Sequence, residues 1–191
     1  MTIATPLPDD ATIRDIRRRI TRPIVLVGMM GVGKSTVGRK LAATLDMNFV
    51  DADEEIADAA NMTIPEIFDL FGESYFRDGE RRVIARLLEE RGFECVIATG
   101  GGAFVQDETR AVIMERSIAI WLDSDVETLI ERVSRNDKRP LLRDGDTREI
   151  VTRMKKEREP AYSLAPIRVQ SDAGPHAEAV SRILEELNAW L

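Results

Sequence analysis

The sequence predicts a three-layer α/β/α domain with a central parallel sheet of about five strands. Three observations lead there. Short, largely apolar runs recur at 24–27, 48–51, 95–99, 118–122 and 166–170. Segments with a helical period stand between them, and strands alternating with helices build parallel sheets covered on both faces. A glycine-rich stretch, residues 28–36, joins the first run directly to the first long helical segment. In such sheets ligands bind off the carboxyl ends of the strands, so the residues after each run are the ones to read for chemistry.

The elements follow in order. Ile13, Ile16 and Ile20 fall at helical spacing and predict a short amphipathic helix within an N-terminal extension, residues 1–22, packed on the surface. Residues 1–22 hold no apolar h-region, which argues against a secretory signal, and their arginines, Arg14, Arg17, Arg18 and Arg19, are mixed with Asp9, Asp10 and Asp15, which counts against a transit peptide. Residues 23–191 read as a single domain. IVLV (24–27) is a buried strand; 35–45 is a helix with Val37, Leu41 and Leu45 spaced by four. NFVD (48–51) is the second strand and 53–61 a helix. TIPE (63–66) is a capping box opening a helix to residue 71, and 73–91 is helical again, with Phe76, Val83, Ile84, Leu87 and Leu88 on one face and Gly92 as its stop. CVIAT (95–99) runs into Gly100, Gly101 and Gly102, and IAIWL (118–122) is the fourth strand. Ser124 and Glu127 suggest a capping box for a helix through Val133. The polar stretch 134–147 reads as an exposed loop, PIRVQ (166–170) as the fifth strand, and Val180, Ile183, Leu184, Leu187 and Leu191 as a closing helix.

Composition narrows the function. At 191 residues and 43% hydrophobic content the chain can bury one sizeable core. A net charge of −7 argues against a general nucleic-acid binder. One cysteine forms no internal disulfide, and no apolar run approaches the roughly 20 residues of a membrane span. The expectation is a cytoplasmic monomer that engages neither nucleic acid nor membrane. Cys95 and Trp121, both in apolar strands, read as packing, and the lone His176 has no ligand-type neighbours for a metal.

GMMGVGKST carries the strongest signal. Gly28, Gly33, Lys34 and Ser35 satisfy G-x-x-x-x-G-K-S/T in a strand–loop–helix setting. Such a loop, here Gly31, Val32, Gly33, Lys34, Ser35 and Thr36, turns successive N–H groups inward on phosphate, aided by the positive end of the helix. Lys34 then reaches the β- and γ-phosphates, and the Ser35 hydroxyl suits Mg²⁺. The implied ligands are ATP, or another nucleoside triphosphate, and Mg²⁺, on a P-loop NTPase fold. A switch GTPase is disfavoured, because NDKR (136–139) is not the guanine-reading N-K-x-D and DLFG (69–72) lies in a helical stretch. A P-loop ATPase switch with a protein partner stays open, although the third strand ends in Thr99 and glycines rather than an acidic pair. A small-molecule kinase requires an acceptor pocket, phosphate-facing arginines and a lid.

Taken together, GMMGVGKSTVGRKLA, FVDADEEI, IPEIFDLFGESYFRDGE, VIATGGGA, RPLL and REPAY resemble the shikimate kinase family, from about residue 23 to 170. Gluconate kinases lack this combination of F-R, G-G-G and R-P-L-L. The resemblance implies a nucleoside monophosphate kinase-like fold and transfer of phosphate from ATP to the 3-hydroxyl of shikimate, in aromatic amino-acid biosynthesis. The alternative is a kinase for another polyhydroxy acid such as gluconate.

Site roles follow from the resemblance. Asp51 lies near Mg²⁺. Asp53 orients or deprotonates the acceptor hydroxyl; its position alone fits a helix cap equally well. Arg77 and Arg158, otherwise ordinary solvated helix arginines, become anchors for the acceptor carboxylate. Gly100, Gly101 and Gly102 bring backbone against the acceptor. Arg139, in what becomes a lid at about 134–147, stabilises the transferring phosphoryl group together with Lys34. Two features depart from the family. SDAGPH (171–176) lacks the basic residue often found near the adenine, leaving Pro175 and backbone to pack it, and residues 1–22 have no counterpart in the shorter pattern.

Overall fold

The structure is a computed structural model that describes residues 6–134, 146–171, 174 and 176–191. Five strands, β1 (Ile24–Val27), β2 (Asn48–Asp51), β3 (Cys95–Ala98), β4 (Ile118–Asp123) and β5 (Ile167–Gln170), pair in the order β2-β3-β1-β4-β5. Every pairing is parallel. The connections are helical: α1 (Asp10–Arg19), α2 (Lys34–Leu45), α3 (Ala52–Ala60), α4 (Ile64–Glu90), α5 (Asp107–Arg116), α6 (Val126–Ser134), α7 (Thr147–Tyr162) and α8 (His176–Trp190). β1, β3 and β4 are buried at every position, as continuous apolar runs demand in a sheet covered on both faces. After β1 the chain goes out to one edge and back through β3, then crosses to β4 on the other side. That reversal opens a crevice above β1, where the glycine-rich loop emerges.

The elements differ from the sequence expectation in informative ways. The two helices expected on either side of Gly72 form one kinked element, with Gly72 at φ 80° and ψ 174°. Only glycine takes that conformation without strain. The Thr63–Glu66 capping box is present in full. The one expected at Ser124 and Glu127 is not: Asp125 is the cap, its carboxylate accepting from the Thr128 N–H at 2.8 Å, one residue closer to the helix than Ser124. Likewise α3 is capped by Asp51, which accepts from the Asp53 N–H at 3.0 Å, so Asp53 is released from capping. Helices α5 and α7 had no assignment from sequence; both are charge-rich. The N-terminal segment is more deeply engaged than surface packing requires. Ile16 and Ile20 are 0% and 1% exposed and belong to the main core. A second, smaller cluster, Ile56, Ile67 and Phe76, holds the arm formed by α3 and the start of α4.

Candidate active site

A cavity of about 580 Å³ opens above the carboxyl ends of β1, β2 and β3. At one end lies the glycine-rich loop. Gly28, Gly31 and Gly33 all have positive φ, and a Cβ on Gly28 would stand 2.3 Å from the Leu122 carbonyl oxygen of β4. Lys34, 8% exposed, folds over the loop and donates from Nζ to the carbonyls of Gly28 (2.8 Å) and Met29 (2.9 Å). The ammonium is thus held at the loop mouth. The Ser35 hydroxyl donates to Asp51 Oδ2 at 2.6 Å, which couples the start of α2 to the end of β2. This hydroxyl–carboxylate pair offers only hard oxygen donors and fits Mg²⁺. Among the described residues no group of three or more His, Cys, Asp or Glu could hold a metal by itself. A cation here would complete its shell from phosphate and water, as Mg²⁺ usually does.

The other end is a charged network around the three glycines. Arg77 donates to Glu80 at 2.7 Å from Nη1 and to Glu73 at 3.2 and 3.1 Å from Nε and Nη2. Glu80 is wholly buried, and its second oxygen, Oε1, makes no hydrogen bond among the described residues. Burial pushes the Glu80 carboxyl above its ordinary pKa, with Arg77 pulling the other way and Asp53 adding to the rise. A Cβ on Gly100 would stand 2.7 Å from Glu80 Oε1 and 2.9 Å from Asp53 Oδ1, and one on Gly102 2.3 Å from Arg77. The glycines therefore make room for this chain's own charged side chains, beyond any approach to a ligand. The Gly101 carbonyl accepts from Arg158 Nη1 at 3.2 Å and from the Tyr162 hydroxyl, both on α7. Burial pushes the Tyr162 phenol up to about 12, so it stays a neutral donor at physiological pH. Ile64, Pro65, Phe68 and Phe76 supply an apolar wall.

The structure brings Gly31, Gly33, Lys34, Ser35, Thr36, Asp51, Asp53, Arg77, Gly100, Gly101, Gly102 and Arg158 to this single cavity. Val32 is buried behind the loop, its carbonyl accepting from Arg132 at 3.0 Å and from Ser171 at 3.1 Å. Arg139, most of the expected lid, and Pro175 lie outside the described residues. Sequence reasoning missed Glu80, Tyr162, Arg132 and His176. The i, i+3 spacing of Arg77 and Glu80 was visible, but nothing in it distinguished a buried pair from a solvated one. Arg132 and His176 border the loop end of the cavity, with the His176 ring 3.1 Å from where a Gly33 Cβ would be. Burial, Arg132 and Lys40 together lower the His176 pKa.

Comparison with known proteins carries the assignment further. Residues 30–188 match the family model described as shikimate kinase. A shikimate kinase of Novosphingobium aromaticivorans is 60% identical over 187 residues, 97% of each chain. One of Bradyrhizobium diazoefficiens is 55% identical over 89% of this chain and 81% of its own. The solved shikimate kinase from Acinetobacter baumannii in complex with shikimate superposes with a TM-score of 0.82 at 36% identity, covering 86% of this chain and 92% of that one. The likeness spans the phosphate loop, the acceptor arm and the closing helix alike, and the chain belongs to the shikimate kinase family.

Proposed function

We propose that this cavity transfers the γ-phosphoryl group of ATP to the 3-hydroxyl of shikimate, giving 3-phosphoshikimate and ADP, with the following division of labour. The glycine-rich loop, through the N–H groups of Gly31, Val32, Gly33, Lys34, Ser35 and Thr36, cradles the phosphates. Lys34 exchanges its loop carbonyls for phosphate oxygens and, with Arg139, offsets charge on the transferring group. Mg²⁺, held by Ser35 and Asp51, would neutralise the β- and γ-phosphates. Arg77 and Arg158 take the shikimate carboxylate, and Gly100, Gly101 and Gly102 border the ring. Asp53 accepts the hydroxyl proton as that oxygen bonds to phosphorus and the bond to the ADP oxygen breaks. Asp53 suits this role because Asp51, not Asp53, caps α3.

The observation that carries the reading is the meeting of a complete phosphate loop and two arginines flanking three glycines in one cavity of about 580 Å³. A monomer as the acting unit and a cytoplasmic setting, where ATP is plentiful, are proposed with it. The test is coupled ADP release over a panel of sugar acids with and without Mg²⁺. The expected outcome is Mg²⁺-dependent turnover with shikimate and little with gluconate. Turnover with gluconate alone, or ADP release indifferent to any acceptor, would replace the reading with a different acid kinase or an ATPase switch.

A further inference from the structure

Helix α7 turns one face inward, marked by Lys155, Arg158 and Tyr162 at i, i+3 and i+7. Arg158 and Tyr162 reach the Gly101 carbonyl beside the cavity. Lys155 reaches elsewhere. Its Nζ donates to Asp123 Oδ1 at 2.9 Å and to the Ser124 carbonyl, at the carboxyl end of β4. The Asp123 side chain is 6% exposed, and two further side-chain contacts and one backbone contact order this residue. Arg168 of β5 donates to Oδ2 at 2.7 Å, the Ser124 N–H donates to Oδ1 at 2.9 Å, and the Asp123 carbonyl accepts from the Ser171 N–H at 2.6 Å. This carboxylate is therefore rigidly set in the sheet and paired with two cations.

The two cations do different things. Arg168 belongs to β5, which the sheet already holds, and its guanidinium lies 4.4 Å from the Trp121 ring centroid. Lys155 belongs to a helix that begins directly after the expected lid. Ile150, Val151 and Met154 bury one side of the first half of α7 and set its depth and the face it turns inward, while a directional ionic contact pins it to one point of the sheet. The Arg148–Glu127 pair between α6 and α7 is exposed on both sides and contributes little. Among the described residues, Lys155 is a part-buried ionic tie from the middle of α7 to the sheet, one turn before Arg158.

We propose that Lys155, through Asp123, is a positioning residue that fixes α7 so that Arg158 meets the acceptor carboxylate. The proposal rests on the reading of Arg158 as a carboxylate anchor. A built-in control exists, because Lys155→Met and Arg168→Met each remove one cation from the same carboxylate and leave it the other. A merely structural role lets either variant lower stability while leaving shikimate KM near its original value; a positioning role raises shikimate KM for Lys155→Met alone.

The experiment measures shikimate KM, ATP KM and kcat for Lys155→Met, Lys155→Arg, Arg168→Met and Arg158→Lys. Lys155→Met should raise shikimate KM about five- to tenfold, below the loss from a hydrogen bond made directly to a charged ligand. ATP KM and kcat should stay within about twofold, Arg168→Met should leave shikimate KM near its original value, and Lys155→Arg should recover most of the loss. Equal effects of Lys155→Met and Arg168→Met on shikimate KM, or a raised KM for Arg158→Lys with none for Lys155→Met, overturn the positioning role alone. An unchanged shikimate KM for Arg158→Lys overturns the anchor reading and the proposal with it. Should Lys155→Met fail to fold, Lys155→Gln, which retains a donor without the charge, carries the same comparison.

Discussion

The nucleotide end of the cavity is built mainly by one stretch, the loop and helix start of residues 28–36 rooted on the fully buried β1, with Asp51, Arg132 and His176 at its border. The acceptor end draws Asp53, Arg77, Glu80, Gly101 and Arg158 from α3, α4, the turn after β3, and α7. The first needs only backbone torsion and a helix terminus, so its geometry travels with its local sequence. The second depends on charges brought together from a distance, with a buried carboxylate at its centre and only the small Ile56–Ile67–Phe76 cluster beneath its arm. On the proposed division of labour, phosphate is bound by a loop and the acceptor by the fold. Variants should separate the two ends.

The largest effect is expected at Lys34. Lys34→Ala removes the cation at the loop mouth and should cut turnover by about a thousandfold or more. Shikimate binding, read by calorimetry, and the thermal midpoint should change little. A Lys34→Ala enzyme with normal turnover would remove the phosphate-loop role. Next is Arg139→Ala, expected to reduce kcat by roughly 10³, the lower end for arginines acting on a phosphoryl group. Acceptor affinity should change far less, so a loss seen mainly in shikimate KM would move Arg139 to the acceptor end.

Arg77→Lys sharpens the contrast from the other side. Lysine keeps the charge but loses the fork that spans Glu80 and Glu73 and that the proposed anchor role requires. Shikimate affinity should fall, with about 2–5 kcal/mol for truncation of a desolvated charge pair as the upper bound. ATP affinity, titrated separately, should be nearly unchanged; the reverse pattern would exchange the two ends of the map.

The buried Glu80 makes the acceptor end pH-sensitive. Burial raises its folded-state pKa above the ordinary 4.5, against the pull of Arg77. A raised carboxyl pKa means the folded state holds the proton more tightly than the unfolded chain does. That contribution to stability is complete below about 4.5 and is lost as pH rises through the raised value. Glu80→Gln should therefore gain in thermal midpoint relative to the parent as pH climbs out of that window. A midpoint difference that stays flat from acid to neutral pH would show that Arg77 fully compensates the burial. The smallest effect is expected from Thr63→Ala, which deletes the cap of the helix carrying Arg77. It should cost about 1 kcal/mol of stability in chemical denaturation, with turnover nearly intact. A large loss of shikimate affinity there would mean that the arm is held far more loosely than its cap and small core suggest.

How far the sequence could be read differs along the same line. The five strands, their parallel pairing and the phosphate loop are written in contiguous residues, because apolar runs, helical periods and G-x-x-x-x-G-K-S act over a few positions. Asp53, Arg77, Arg158 and the three glycines could be picked out only through likeness to a family; their own spacing fits caps and solvated faces just as well. Helices α5 and α7 escaped because charge dilutes their apolar period, and α7 carries Pro160 near its end. The cap of α6 moved from Ser124 to Asp125 because capping is decided by which side chain meets a free N–H, a matter of one residue.

By itself, then, the sequence determined the layered fold, the glycine-rich loop between β1 and α2 and the break at Gly72, each set by local torsion and periodicity. Tertiary structure alone decided that Glu80 lies buried under Arg77, that the glycines clear space for Asp53, Glu80 and Arg77, and that Lys155 is tied to Asp123. The physical reason is that burial and charge pairing depend on neighbours distant along the chain, and the effect of a charge reverses with its surroundings. A carboxylate on a helix surface costs little and does little; enclosed beside an arginine, it orders that arginine's donors.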